Sequence, residues 1–311
     1  MHEVAEFVKK VMTNMEEVIV GKQDVVKLVL VSLLCKGHLL IEDVPGMGKT
    51  MLVRTLAKSL GCTFNRIQFT PDLMPSDVTG VSIFNQKTTE FEFRSGPVMA
   101  QLILADEINR ASPKTQASLL ECMEEGQITV DGVTHRLPSP FLVLATQNPV
   151  EHHGTFPLPE AQMDRFIMRT RLGYPSYNEE IQILQRLERK HPIEAIKQVV
   201  DAKQLLAMQE KVHQVNVESS ILDYIVKIVL ATREHPEVTL GASPRGSLSL
   251  LRTAKAHAAI ERRKYVLPDD VKILAQSTLA HRIILKPEAV YRGYTQDRIV
   301  EEILDTVQVA L

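Results

Sequence analysis

The segment Glu42-Asp43-Val44-Pro45-Gly46-Met47-Gly48-Lys49-Thr50-Met51 sets two glycines, a lysine and a hydroxyl in the order that triphosphate chemistry needs. Glycines let backbone N–H groups turn inward around phosphate oxygens. A helix opening directly afterwards adds further N–H donors and a partial positive charge. In that arrangement Lys49 would neutralise the β- and γ-phosphates of ATP, and the Thr50 hydroxyl would ligate Mg²⁺. The predicted nucleotide-binding run is therefore Asp43, Val44, Pro45, Gly46, Met47, Gly48, Lys49, Thr50 and Met51. One residue departs from the consensus, because Asp43 stands where a first glycine is expected. A carboxylate there must point away from the nucleotide, or it would repel the phosphates.

A second motif is the apolar run Leu102-Ile103-Leu104-Ala105 ending in Asp106-Glu107. Phosphoryl transfer needs one carboxylate for the metal shell and another group to orient the attacking water. Adjacent carboxylates at a strand end supply both, since successive side chains point different ways. Asp106 is assigned to Mg²⁺ and Glu107 to water. The run Phe141-Leu142-Val143-Leu144-Ala145 leads to Asn148, which is suited to bonding a γ-phosphate or the water; Asn148-Pro149 also starts a turn. Arg165 and Arg245 complete the set, because an arginine supplied from outside a pocket stabilises transition-state charge.

These groups need a scaffold. Continuous apolar runs at His38–Ile41, Phe64–Phe69, Leu102–Ala105 and Phe141–Ala145, separated by helical segments, are what a parallel sheet buried on both faces requires. Chemistry in such sheets gathers at the carboxyl ends of the strands, where the motifs fall. Spacing predicts helices from about Val4 to Ile19, Gln23 to Cys35 and Thr50 to Leu60. Two hairpins interrupt the pattern. One contains the alternating Glu90–Arg94, and the other is Ile128–Thr134 with an Asp131-Gly132 turn. They are candidates for reaching a partner or plain decoration. After Pro175 only helical periodicity continues. The expected fold class is α/β with a parallel sheet between helices and hairpin insertions (residues 1–175), followed by a small all-helical domain (residues 176–311).

Bulk properties narrow the function. A net charge of −2, with 44% hydrophobic and 24% charged residues, fits an ordinary globular protein. Residues 1–175 carry 17 Lys+Arg against 20 Asp+Glu, and residues 176–311 carry 19 against 18. Neither part has the basic excess of a surface that neutralises nucleic-acid phosphates, so no nucleic acid is expected. The densest basic run, Arg262-Arg263-Lys264, reads as a solvated helix end. No membrane span or signal peptide is recognisable, and a cytoplasmic location is the default expectation. Cys35, Cys62 and Cys122 lack paired spacing and read as small core residues. The adjacent His152-His153 pair makes a poor metal site, since neighbours point apart.

In the order of these motifs the chain resembles the MoxR family of AAA+ ATPases. The resemblance rests on Glu42–Thr50, Arg66–Gly80 (RIQFTPDLMPSDVTG), Ala105–Lys114 (ADEINRASPK) and Ala145–Phe166. Aspartate at the position of Asp43 is commonplace in that family. The likeness implies an ATPase core and a helical lid, assembled as a homo-oligomeric ring of six with ATP between subunits. By the same likeness Lys49 and Thr50 are Walker A residues, Asp106 and Glu107 Walker B, and Asn148 sensor 1. Arg165 would be the arginine finger reaching the neighbour's ATP, with Arg110, Arg169 and Arg171 nearby. Arg245 would be sensor 2 in the lid of the same subunit. Members act with proteins that bear a von Willebrand factor A domain, maturing enzyme complexes or inserting metal cofactors.

The resemblance, set beside the residues, leaves three functions: hydrolysis that remodels a client protein complex, a nucleotide-dependent binding switch with slow turnover, or a nucleic-acid motor. Intact Glu107 and Asn148 favour turnover over the switch, and the charge count disfavours the motor.

Overall fold

A computed structural model of the chain describes residues 1–149, 154–189 and 192–309. The first part runs α1 (His2–Glu16), α2 (Gln23–Leu34), β1 (His38–Glu42), α3 (Lys49–Leu60), β2 (Phe64–Gln68) and α4 (Pro75–Thr79). A hairpin of β3 (Gly80–Asn85) and β4 (Glu90–Ser95) follows, then β5 (Leu102–Asp106) and α5 (Pro113–Glu125). A second hairpin, β6 (Gln127–Val130) and β7 (Val133–Arg136), precedes β8 (Leu142–Gln147), α6 (Glu160–Met163) and β9 (Phe166–Thr170).

Five strands form one parallel sheet in the order β2-β5-β8-β1-β9. Their side chains alternate between two apolar layers, as the two-residue period of a strand dictates. Leu39, Ile41, Leu102, Leu104, Leu142 and Leu144 join α1, α2 and α3 in one layer. Leu40, Ile103, Ala105, Val143 and Ala145 join α5 in the other. Coverage of both faces explains why these strands read as unbroken apolar runs.

β9 corrects the expectation of four strands. Phe166-Ile167-Met168 is a short apolar run, and Arg169 ends it. Arg169 is nonetheless buried, because Glu42 lies 3.2 Å away and supplies a counter-charge. A charged residue that cuts the apolar run to three hides a strand from pattern reading. The first helix also stops at Glu16, three residues before the expected end, which frees Val18 to Val20 for another use.

Beyond Thr170 come α7 (Tyr177–Arg189), α8 (Ala202–His213), α9 (Ser219–Glu234), β10 (Val238–Leu240), α10 (Pro244–Ile260) and α11 (Pro268–Leu279). They are followed by β11 (Ile284–Leu285), α12 (Pro287–Tyr291) and α13 (Gln296–Thr306). This part is helical except that β10 and β11 pair antiparallel, a ribbon too short to show periodicity. Its helices start at recognisable caps: Asp201 accepts from Gln204 N and Ser243 from Arg245 N, with Pro244 in the first turn. Leu205, Ile225, Leu250, Leu274 and Ile299 lie in the same apolar cluster as Val4, Val11 and Leu30, with α8 and α10 packed on α1 and α2 and the other helices joined to the cluster through them.

Both hairpins form. The β6–β7 turn puts Asp131 at φ +51° and Gly132 at φ +80°, as a two-residue hairpin turn requires. The hairpins touch each other, with Phe93 of β4 stacked on His135 of β7 at 4.0 Å between ring centroids.

Candidate nucleotide site

β1 delivers the chain to the phosphate loop and α3 carries it away. Gly46 and Gly48 adopt φ +86° and +81°, where a side chain would be strained, and the space in front of each is open for 4 Å. Lys49 is 8% exposed, and its Nζ donates to the Asp43 carbonyl at 2.8 Å. Burial pushes its pKa below the ordinary lysine value, opposed by the carboxylates of Asp106, Asp43 and Glu107. A desolvated ammonium beside an open, amide-lined loop is matched to an anion.

Asp43 solves its electrostatic difficulty by turning to the chain that leaves β9. Its Oδ2 accepts the N–H groups of Leu172 (2.7 Å) and Gly173 (2.8 Å), and its Oδ1 accepts that of Val44 (3.0 Å). The loop is thereby tied to the segment that leads into α7.

Beside the loop lies a cavity of about 290 Å³ lined mainly by apolar groups, including Val18, Val20, Met47, Met51, Leu172 and Ile183. Arg186 donates to the carbonyls of Glu16 (2.7 Å) and Glu17 (3.0 Å), and Lys22 to that of Tyr174 (3.0 Å). These bonds hold α7 and its approach against the end of α1. The cavity's size and apolar walls suit a flat nucleobase. Sequence reasoning missed it. The usable signal was the apolar Val18-Ile19-Val20 run continuing after the polar end of α1.

Asp106 and Glu107 leave β5 on the same sheet edge. Asp106 Oδ1 accepts from the Thr146 hydroxyl at 2.7 Å, and Oδ2 accepts from Arg66 Nε (3.0 Å) and Nη2 (2.6 Å). Glu107 sits at φ +57°, ψ +49°, a left-handed conformation that costs a non-glycine residue about 1–2 kcal/mol. Its N–H donates to the Thr146 hydroxyl at 2.8 Å, and its Oε2 accepts from Gln68 Nε2 (2.8 Å) and Arg110 Nη1 (2.9 Å). One hydroxyl therefore fixes both acidic residues at the strand end. Arg66, Gln68, Arg110 and Thr146 were not assigned from sequence. Arg66 and Gln68 are two apart on β2 and so share a face, which was the available clue.

The donor set fits a divalent cation. A carboxylate has about four lone-pair positions, so the bonds Asp106 already makes leave acceptor capacity, and Thr50 lies in the first turn of α3. Asn148 follows β8 and is half-buried at this edge. Its neighbour Gln147 donates to Glu42 Oε1 at 2.6 Å. His152-His153 lies outside the described residues.

The two arginines lie elsewhere. Arg165 immediately precedes β9, whose Phe166 is in register with His38 at the start of β1. Its Nη2 is 3.1 Å from Glu124 Oε2, and Arg245 Nη2 bonds the other oxygen of the same carboxylate. Arg245, expected as sensor 2 in the lid of its own chain, lies in the first turn of α10 beside Arg165. At about 3.3 Å per residue, five-residue β1 spans roughly 17 Å between the two edges, beyond an arginine's reach. The cause is local: Ser243 caps α10 and bonds Asp164 Oδ2 at 2.7 Å, which fixes the first turn of α10 beside Arg165. A recess of about 300 Å³ there is lined by Lys36, Arg165, Arg245 and Arg252 together with Glu124 and Asp164.

Comparisons with known proteins bear on the family and the fold. Residues 38–168 match the ATPase family associated with various cellular activities (AAA), and residues 230–303 match the AAA lid domain. The chain is 43% identical to Chaperone MoxR1 of Mycobacterium tuberculosis, over 94% of this chain and 80% of that protein. It is 56% identical to the protein YeaC of Bacillus subtilis, over 96% and 94% respectively. A crystal structure of a protein provisionally described as an ATPase, from Cytophaga hutchinsonii, superposes with a TM-score of 0.93. It is 41% identical, over 99% of this chain and 96% of that one.

Proposed function

Because the chain belongs to the MoxR family of AAA+ ATPases, we propose that it binds ATP with Mg²⁺ and hydrolyses it to ADP and phosphate at an interface between copies of itself. The observation that carries this reading is the buried ammonium of Lys49 at an open glycine cradle, with Asp106 and Glu107 arriving on the same edge.

In this reading the apolar cavity holds the base, and the loop from Asp43 to Met51 surrounds the phosphates. Thr50 and Asp106 hold the magnesium ion, which supplies charge neutralisation across the phosphates when bound. Glu107 orients the attacking water and Asn148 bonds the water or the γ-phosphate. Gln68 and Arg110 both bond Glu107 Oε2, which steadies the carboxylate and leaves it acceptor capacity for the water. Arg165 and Arg245 act together on the nucleotide of the next subunit. Their shared carboxylate Glu124 keeps them paired, and the cationic recess around them suits a neighbour's triphosphate.

Such a site needs contact between copies, and a ring of six subunits is the expected assembly. The border between the ATPase core and the lid is placed at about residue 175. Turnover is assigned to chaperone-like remodelling or maturation of a client protein complex in the cytoplasm, together with a partner bearing a von Willebrand factor A domain. The name of the Mycobacterium tuberculosis relative supports the chaperone role.

A titration with a fluorescent ATP analogue and Mg²⁺, paired with a phosphate-release assay, tests the core of this reading. Saturable binding and steady phosphate release are expected. A protein that binds no nucleotide at either high or low Mg²⁺ would remove it. Copurification with an ATP-trapped Glu107→Gln variant addresses the client.

A further inference from the structure

The segment that carries Arg165 into β9 is held by the lid of its own chain. Arg282, whose side chain is 1% exposed, spends every one of its five N–H donors inside the protein. Nε donates to the Thr278 carbonyl at 2.8 Å. Nη1 bonds both the Asp164 carbonyl at 2.8 Å and the Asp164 carboxylate Oδ1. Nη2 donates to the Phe166 carbonyl at 2.7 Å and to Ser249 Oγ at 3.0 Å. A sixth bond joins His281 Nε2 to the same Phe166 carbonyl at 3.1 Å.

The two carbonyls so gripped are those immediately before and after Arg165. Ser243 closes the set, since its hydroxyl donates to Asp164 Oδ2 at 2.7 Å while accepting from Arg245 N at 3.1 Å. Asp164 thus joins three things: the peptide bearing one arginine, the helix bearing the other, and a buried lid cation. A planar five-donor group is needed for this. Lysine offers three donors from a single point and cannot reach carbonyls on both sides of one residue together with a carboxylate.

From this geometry we infer that Asp164 and Arg282 are positioning residues for hydrolysis in the adjoining subunit: the lid of one chain sets the reach of Arg165 and Arg245 into its neighbour's site. The inference rests on the assignment of Arg165 to an intersubunit role. It adds that the lid's effect on chemistry runs outward to the next subunit rather than inward to its own phosphate loop. A lid displaced with respect to the sheet would carry Asp164, and with it both arginines, so the state of one subunit becomes readable by the next. Transition-state contacts tolerate little error; a displacement of about 1 Å can cost roughly 10²-fold in rate.

The test is subunit complementation with Arg282→Lys. Rings of this variant alone should bind a fluorescent ATP analogue as the unaltered protein does, yet hydrolyse ATP up to about 10²-fold more slowly. Mixed with Lys49→Ala subunits, which keep their arginines but lose their own site, the variant should regain hydrolysis. Mixed with Arg165→Ala subunits it should not. Ser243→Ala, which removes one hydroxyl and buries no unpaired charge, should give the same pattern more weakly. The reverse pattern, rescue by Arg165→Ala and none by Lys49→Ala, would place the defect in the variant's own site and overturn the inference. Unimpaired hydrolysis by both pure variants would overturn it too. If the Arg165→Ala and Lys49→Ala subunits fail to rescue each other, the intersubunit reading itself fails, and that control separates the two.

Discussion

The two edges of the central sheet are built on opposite principles. At the carboxyl edge the phosphate loop presents backbone amides, open space and one buried ammonium, and Asp106 and Glu107 beside it are held by neighbouring side chains. At the amino edge the working groups are long side chains, Arg165 and Arg245, joined by Glu124 and anchored through Asp164 to the lid. Neither edge is a complete phosphoryl-transfer site, and a single strand length keeps them apart. In the proposed function the first edge binds and the second completes the site of another copy. A site divided in this way would make assembly a condition of catalysis.

That contrast can be broken from either side. The largest effect is expected for Lys49→Ala, which removes the sole cation within the loop. Nucleotide binding should be lost, as read by equilibrium titration, and unchanged affinity would remove the loop from the site. Next is Glu107→Gln, which keeps size and hydrogen bonding but not the charge that orients water. Binding should persist while turnover falls about 10²–10⁴-fold, as expected for loss of a general base; normal turnover would reassign that role. Thr146→Val removes the hydroxyl that fixes both Asp106 and the Glu107 amide. Outer partners of this kind are worth about 10–100-fold, so the Mg²⁺ requirement should rise by that order while binding of nucleotide without metal stays unchanged. An unaltered Mg²⁺ dependence would show that Thr146 only packs.

The smallest effect concerns acid. His38 and His281 are buried at the amino edge, bonded to the Met123 and Phe166 carbonyls. Burial pushes His38 down to about 4, only partly offset by the Met123 bond, and His281 well below the ordinary value near 6.5. The unfolded chain therefore takes up protons between about pH 6.5 and 4 that the folded chain refuses. Stability is complete above about pH 6.5 and declines as pH falls toward 4. Urea midpoints followed over that window should drop, and His38→Gln should flatten the decline. A slope identical in the variant would mean that His38 does not titrate there.

Much of this was legible in the residues, and the failures have physical reasons. The phosphate loop reads directly because its demands on each position are local: glycine for positive φ, lysine for charge, a strand before and a helix after. The acids at Asp106 and Glu107 read for the same reason. β9 did not, because its Arg169 is neutralised by Glu42, a residue more than a hundred positions earlier. The apolar cavity beside the loop was hidden because Val18, Leu172 and Ile183 meet only in the folded chain. The meeting of Arg245 with Arg165 was not legible because it is set by Ser243 and Asp164, a contact between residues 79 positions apart that no spacing reveals.

The division of the site between copies is tested most directly by mixing Arg165→Ala subunits with Lys49→Ala subunits, each inactive alone, and measuring phosphate release across mixing ratios. Hydrolysis should reappear and peak near equal proportions, where an intact loop most often meets intact arginines. Activity that stays at the level of the separate variants at every ratio would contradict the account.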